Sequence, residues 1–479
     1  MIFSSNMFLF LFLPICLLIY YMISFVTKDF RLRNLGLLLI SLFFYFWGNG
    51  KIVFLLIFSI ILNYFLGNYI YKAPEVKKRK ILLLIGVIIN LALLGYFKYF
   101  NFFIDGVNYV TSFWGMSAFR NHINVLLPVG ISFYTFMSIS YLVQTYKKEQ
   151  LANNIIDYGM YLSLFPHLVA GPIVRYSEIG KEIENRRVDI TILFEGLWRF
   201  SLGLGKKVIL ANNLGFAADK IFGTPHDQLT PLICWIGVLC YTFQIYYDFS
   251  GYTDMAIGLA RFFGFHFPEN FNQPYRSANI TEFWRRWHMT LSRWFKDFVY
   301  IPLGGNRKGN IRTYVNLFIV FFLCGLWHGA AWTFVVWGLY HGMLLVIERI
   351  LKNKWNFAMK GILGTIISFV LVMIGWVFFR EASLAKAVVY IGKMFGISLM
   401  NSGVTSSMYS LNYYLSTSTI VFLIVAAIFA FGAFEKIKMF NKDCALSTIL
   451  KGATCVLILF LSMSGLAESS FNPFIYFRF

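Results

Sequence analysis

Charge is what this sequence has least of: only 13% of its 479 residues are Asp, Glu, Lys or Arg, about half the ~25% usual in soluble domains. A chain so poor in charge cannot clothe a water-exposed surface. The rest of the composition agrees, with 58% hydrophobic and 20% aromatic residues and a mean hydropathy of +0.65. No long soluble segment interrupts the apolar runs, and internal repeats and low-complexity tracts are lacking too. The six cysteines form no C-x-x-C pair and fall mostly in apolar runs, which speaks against a disulfide framework or a zinc site. Acidic residues are scarce, 22 against 42 Lys and Arg, for a formal net charge of +20. Such an excess would suit nucleic acid, but these bases sit in short loops beside apolar spans. Membrane orientation and anionic headgroups account for them there, so membrane lipids are the expected partners and nucleic acid is not.

What is present is a series of apolar runs near or above the ~18 residues that cross hydrocarbon, at about 7–26, 35–48, 52–71, 81–100, 125–146, 191–214, 229–247, 361–379, 411–434 and 449–465. With the shorter runs they predict an all-α, polytopic integral membrane protein of about 11 to 13 transmembrane or re-entrant helices, treated as a single membrane domain over 1–479. No basic residue precedes Lys28 and no small-residue cleavage site follows the first run. An uncleaved span with its N-terminus outside the cytoplasm is expected. Lys28, Arg31 and Arg33 form one basic loop, and Lys72, Lys77, Lys78, Arg79 and Lys80 the next, which marks that side as cytoplasmic. Lys436, Lys438 and Lys442 mark another cytoplasmic loop, from which 449–465 crosses outward and leaves the tail, 466–479, outside.

The longest polar stretch runs over 270–312, and at its centre stands TEFWRRWHMTLSRWFKDF, 281–298. Asn279 with Glu282 three places on fits a capping box. At 100° per residue Arg285, Arg286, Arg293 and Lys296 share an arc of ~100°, and Phe283, Trp284, Trp287, Leu291, Trp294, Phe295 and Phe298 take the other side. The pattern predicts an interfacial helix, with His288 at the margin of its aromatic face beside Trp284 and Phe295. Its simplest role is an anchor in the headgroups. A second role is reception of an anionic donor with an acyl end, such as coenzyme A. Arg276, Arg285, Arg286, Arg293, Lys296, Arg307, Lys308 and Arg312 lie in this region against only Glu282 and Asp297.

Thr313 to Glu348 is nearly all apolar, yet Arg312 precedes it and Arg349, Lys352 and Lys354 follow. Both ends want the cytoplasm, so its length demands two passes of ~18 residues, with a bend near Leu326–Ala331 among the glycines. His328 falls at that bend, deep in the bilayer or toward the outer face. An intramembrane histidine is expensive unless it faces a cavity, a partner or a substrate. Gly325 and Gly329, and Gly338 and Gly342, have the small-x-x-x-small spacing that lets helices approach. His341 is 13 residues past His328, roughly 20 Å along a helix, so the two are not expected to share a substrate atom. His288 is the best available partner for His328. One neutral imidazole takes a proton from a hydroxyl attacking a thioester, and a second histidine or a backbone donor steadies the oxyanion. A satisfied buried histidine stays an open alternative for His328, and more so for His341.

EFWRRWHMTLSRWFKDFVYIPLGGNRKG (282–309) followed by GLWHGAAWTFVVWGLYHG (325–342) resembles the membrane-bound O-acyltransferase family, in its bacterial alginate O-acetyltransferase branch. LLPVGISFYTFMSISYLV (126–143), VAGPIVRYSEI (169–179) and YDFSGYTDMAIGLARFFGFHFPENFNQPY (247–275) are similar to the same branch, so the likeness covers most of the chain. It implies a helical bundle around a central channel, with His328 catalytic and His288 as the second active-site polar residue. The donor, expected to be acetyl-CoA with no permanently bound cofactor, enters from the cytoplasm, and the acyl group leaves to a hydroxyl on the other side. Trp284, Arg285, Arg286, Arg293 and Lys296 are the donor-binding candidates. The ending SSFNPFIYFRF resembles the branch's F-x-Y-F tail, which makes Tyr476 the acyl-carrier candidate. No hydrolase-like domain is visible, so a secreted or membrane-tethered polysaccharide O-acetyltransferase is the expected partner, in a bacterial cytoplasmic membrane. His167 stands where glutamine is expected in the alginate relatives, which bears on substrate identity. Asp248 and Asp254 are expected to pair with Arg261 or Arg276 as structure. D-alanyl transfer to teichoic acid from a carrier-protein thioester is the alternative within the family, and a proton-coupled transporter or lipid flippase the alternative outside it.

Overall fold

The computed structural model describes residues 2–115, 125–397, 409–432, 444–468, 471–473 and 475. Among these residues the structure is helical, with no strand. Eight stretches are long and apolar enough to cross a membrane. One of them, Phe30–Lys72, is interrupted at Gly50, which takes φ +55°, and so holds two helices, Phe30–Asn49 and Val53–Lys72. Thr417–Ala430 adds a shorter apolar helix. The chain is a multi-pass, all-α membrane protein that divides into two compact units, 1–196 with 256–268 and 197–255 with 269–479.

In the first unit, the long helix Val76–Ser112 turns most of its apolar surface outward, as a lipid-facing span does. The run 125–146 behaves differently. Only Ile131–Tyr146 is helical, and almost every residue in it is buried in protein. Hydropathy cannot tell a helix that faces lipid from one enclosed by other helices, and this one is enclosed. Polar side chains tie the unit together. Asn63 and Asn90 exchange amide hydrogen bonds of 3.2 and 2.7 Å. Asn34 donates to Asp157 at 2.7 Å, and Arg186 donates to Asn34 at 2.7 Å while lying 4.6 Å over the Phe265 ring. Bonds of this kind satisfy polar groups that lipid could not.

The second unit contains the apolar hairpin that carries the histidines. Gly309–His328 and Trp332–Trp355 are two helices joined by an extended turn at 329–331, where the charge pattern placed the bend. Glycines set their contact: a Cβ on Gly338 would lie 2.2 Å from the Phe321 carbonyl oxygen, and one on Gly325 2.4 Å from that of Phe334. The backbones pack directly, the arrangement that the small-residue spacing predicts. Gly361–Arg380 joins this pair through Tyr340, whose hydroxyl donates to Leu371 O at 2.8 Å.

Candidate active site

The hairpin turn presents His328 at the last position of its helix, 2% exposed. The ring packs edge-on against Trp337 and Phe379, with centroids 5.0 and 5.2 Å away, and beside its neighbour Trp327 at 4.9 Å. The turn also alters the placement of His341. A single helix would carry it far along the axis, but after the reversal both histidines contact Trp337, His341 at 5.2 Å from that ring. There it is fully buried against Trp284 and the backbone of Gly375, and neither ring nitrogen has a hydrogen-bond partner among the described residues.

His288 comes from the Trp-rich segment, whose shape differs from the predicted continuous helix. The structure has two short helices, Ile280–Arg286 and Met289–Phe295, with His288 between them in the left-handed region at φ +44° and ψ +55°. Asn279 caps the first, accepting from Glu282 N at 2.8 Å, while the Glu282 side chain accepts from Ala278 N at 2.9 Å. The break has a tertiary cause. Loop residues 270–272 run beside it, and Met289 N donates to Asn270 O and Asn272 N to Arg286 O, both at 2.9 Å. Backbone groups that a continuous helix would pair internally are thus satisfied by the loop. The aromatic face lies in protein rather than in headgroups: Trp284 packs on Phe321, Trp337 and His341 at 5.0, 5.7 and 5.1 Å. The expectation of one continuous interfacial helix is corrected accordingly. His288 lies 5.9 Å from the Trp327 ring, and Trp327 touches His328.

Asn270 defines the chemical state of His288. Its Oδ1 accepts from Thr290 N at 3.2 Å, from Thr290 Oγ1 at 2.9 Å, and contacts His288 Nδ1 at 3.0 Å. A backbone N–H can only donate, so the atom that it meets is the amide oxygen. His288 Nδ1 must then carry the proton, and Nε2 holds the lone pair. Burial pushes this imidazole down to about 3, which keeps it neutral. Nε2 is buried with no hydrogen-bond partner among the described residues. Sequence reasoning missed Asn270, since nothing in its local pattern marks it and its partner is 18 residues away.

The donor-binding candidates separate. Arg285, Arg293 and Lys296 are exposed, Arg286 is tied to Glu282 at 2.9 Å, and Trp284 is buried among the rings around His341. Tyr476 lies outside the described residues, but Pro473 and Ile475 just before it are held by the second unit. The acids pair otherwise than expected. Asp248 meets Lys207 at 2.7 Å, and Asp254 meets Arg199 and Lys206 at 2.8 and 2.6 Å. Arg261 goes to Glu195 and Arg276 to Gln273. The helices Ile190–Gly205 and Pro231–Phe262 cross at Gly203 and Gly251, and helix contacts of that kind rather than sequence spacing choose the partners. His226 pairs with Glu381 at 3.1 Å, His266 with Glu182 at 2.8 Å, and His122 lies outside the described residues. His167 is buried, with Nε2 2.8 Å from Tyr161 O and its ring stacked on Phe267.

Sequence comparison relates the chain to known proteins. The chain is 40% identical to the "Probable alginate O-acetylase AlgI" of Pseudomonas putida over 494 aligned positions, covering all of both chains. It is 39% identical over 429 positions to the peptidoglycan O-acetyltransferase of Helicobacter pylori, covering 83% of this chain and 80% of that one. Similarity to the teichoic acid D-alanyltransferase of Bacillus subtilis is weaker, at 32% over 248 positions, covering 49% of this chain and 61% of the relative. Residues 131–387, which include the broken helix and both hairpin histidines, match the family described as MBOAT, membrane-bound O-acyltransferase. The chain belongs to the membrane-bound O-acyltransferase family.

Proposed function

We propose that this protein is a membrane O-acetyltransferase. It takes an acetyl group from cytosolic acetyl-CoA and moves it across a bacterial cytoplasmic membrane for O-acetylation of an exported or cell-wall polysaccharide. The relatives named for alginate and peptidoglycan acetylation support the substrate class. The carrying observation is the Asn270–His288 bond, which leaves a neutral imidazole with a bare Nε2 one tryptophan away from His328.

In this scheme His328 takes the proton from the acceptor hydroxyl, whose oxygen attacks the thioester carbonyl. The carbonyl oxygen becomes an oxyanion, the C–S bond breaks, and coenzyme A leaves as the thiol with that proton. His288 acts as an acceptor that orients the hydroxyl, since its Nδ1 proton is committed to Asn270. Oxyanion stabilisation therefore falls to another donor. Trp337 Nε1–H, buried and without a partner among the described residues, is on the ring that packs against His328. Arg285, Arg293 and Lys296 attract the phosphates of the donor from the cytoplasmic side. The acceptor hydroxyl is the phenol of Tyr476, which holds the acetyl group outside as an ester until a secreted or membrane-tethered polysaccharide transferase takes it and the free phenol is restored. The N-terminus lies on that same outer side.

Inside-out vesicles given labelled acetyl-CoA test the reading. Covalent acetyl transfer that disappears in His328→Ala supports it, whereas transport without covalent label points to a carrier. Label incorporated only from a D-alanyl carrier protein would select the teichoic acid reaction. Mass spectrometry of the C-terminal peptide tests the relay: no acyl adduct, together with a fully active Tyr476→Phe, refutes that step.

A further inference from the structure

Lys207 and Asp248 form an ion pair of 2.7 Å with side chains only 2% and 1% exposed. A bare salt bridge at that depth gains little over apolar packing, so its other hydrogen bonds carry the information. Both lead to the C-terminal segment. Asp248 Oδ2 accepts from Ile475 N at 2.9 Å, and Lys207 Nζ donates to Pro473 O. Asn212 adds a 3.4 Å bond to Asn472, and Phe216 an edge contact to Phe471. Lys207 occupies a π-helical turn, Lys206–Ala211, at the crossing where a Cβ on Gly251 would meet Gly203 O at 2.7 Å. The two charges therefore stand on closely packed backbone. The segment they hold is also a wall: Pro473 and Ile475 line a cavity of about 270 Å³ together with Gln244, Thr333, Phe334 and Phe379. Phe379 is the ring against His328.

We propose that the Lys207–Asp248 pair is a clamp that seats Pro473 and Ile475 in the wall of a cavity that lies one ring, Phe379, from His328, and that acetyl delivery depends on this seating. Lys207 and Asp248 are positioning residues that touch neither donor nor acceptor. The proposal rests on the acetyl-transfer reading, and it makes delivery to the acceptor separable from use of the donor.

The test uses the full-length protein with Asp248→Asn and with the double variant Lys207→Met/Asp248→Leu. The double variant leaves no lone buried charge and decides the matter if the single one misfolds. Three quantities are read: acetyl-CoA hydrolysis, acetylation of polysaccharide in cells, and carboxypeptidase trimming of the C-terminus by intact mass. In the double variant hydrolysis stays within about twofold of the native rate, polysaccharide acetylation falls tenfold or more, and trimming runs past Ile475 where the native chain halts it. Native-level acetylation or native-level trimming in that variant overturns the clamp. If the native protein itself hydrolyses no acetyl-CoA, the acetyl-transfer reading fails, and the trimming result still decides whether the pair holds the segment.

Discussion

Replacing Asn270 with alanine isolates the feature on which the proposed chemistry turns. Asn270 is 1% exposed, and its oxygen serves His288 Nδ1, Thr290 N and Thr290 Oγ1. Truncation strands the imidazole N–H in a buried site, so a loss of about 1–3 kcal/mol in stability is expected. The kinetic consequence is separate. Without the acceptor either ring nitrogen can carry the proton, and the bare Nε2 is no longer enforced. Loss of one positioning hydrogen bond between neutral groups, ~0.5–1.5 kcal/mol, lowers kcat about 2- to 10-fold, with KM for acetyl-CoA unchanged. Asn270→Asp supplies a readout that simple destabilisation would not move. The carboxylate still accepts from Nδ1 but favours the imidazolium, raising the His288 pKa from its depressed value of about 3. Below that raised pKa Nε2 is protonated and no longer an acceptor, so the acid limb of the rate profile moves to higher pH. Steady-state kinetics in lipid nanodiscs from pH 5 to 9, with thermal unfolding as the control for folding, measure both. A folded Asn270→Ala with native kcat, or an Asn270→Asp with an unmoved acid limb, refutes the tautomer argument.

Gly338→Ala drives a methyl to 2.2 Å from Phe321 O and is expected to part the hairpin at a cost of about 1–3 kcal/mol, seen as a lower thermal midpoint. At position 288 glycine should be more stable than alanine by ~1 kcal/mol, because the backbone there is left-handed. A continuous helix would give the opposite order, and denaturation of His288→Gly against His288→Ala discriminates. Arg285→Glu and Lys296→Glu should each raise KM for acetyl-CoA about tenfold, the loss of a charge-assisted phosphate contact of ~1.5 kcal/mol, with kcat intact. The effect should shrink as salt is added.

The parts legible in the sequence are those set by local rules. Charge at both ends of an apolar stretch located the hairpin turn, and glycine spacing identified the faces where its helices touch. Asn279 announced the helix start that it caps. The break at His288 was not legible, because the apolar periodicity continues through it and the left-handed residue is disfavoured locally by only ~1–2 kcal/mol. What offsets that cost is the backbone of residues 270–272, brought back by the tertiary fold. Asn270 and Lys207 were hidden for the same reason: each acts on a group far along the chain, Asn270 across 18 residues and Lys207 across 266. The consequence bears on mechanism. A continuous amphipathic helix could offer His288 only to one side of a regular cylinder, whereas the break lets the flanking arginines stay at the surface while the imidazole turns inward to Asn270 and Trp327. The segment thereby joins an exposed cationic surface to a buried, neutral imidazole acceptor, and the left-handed residue is the joint between them.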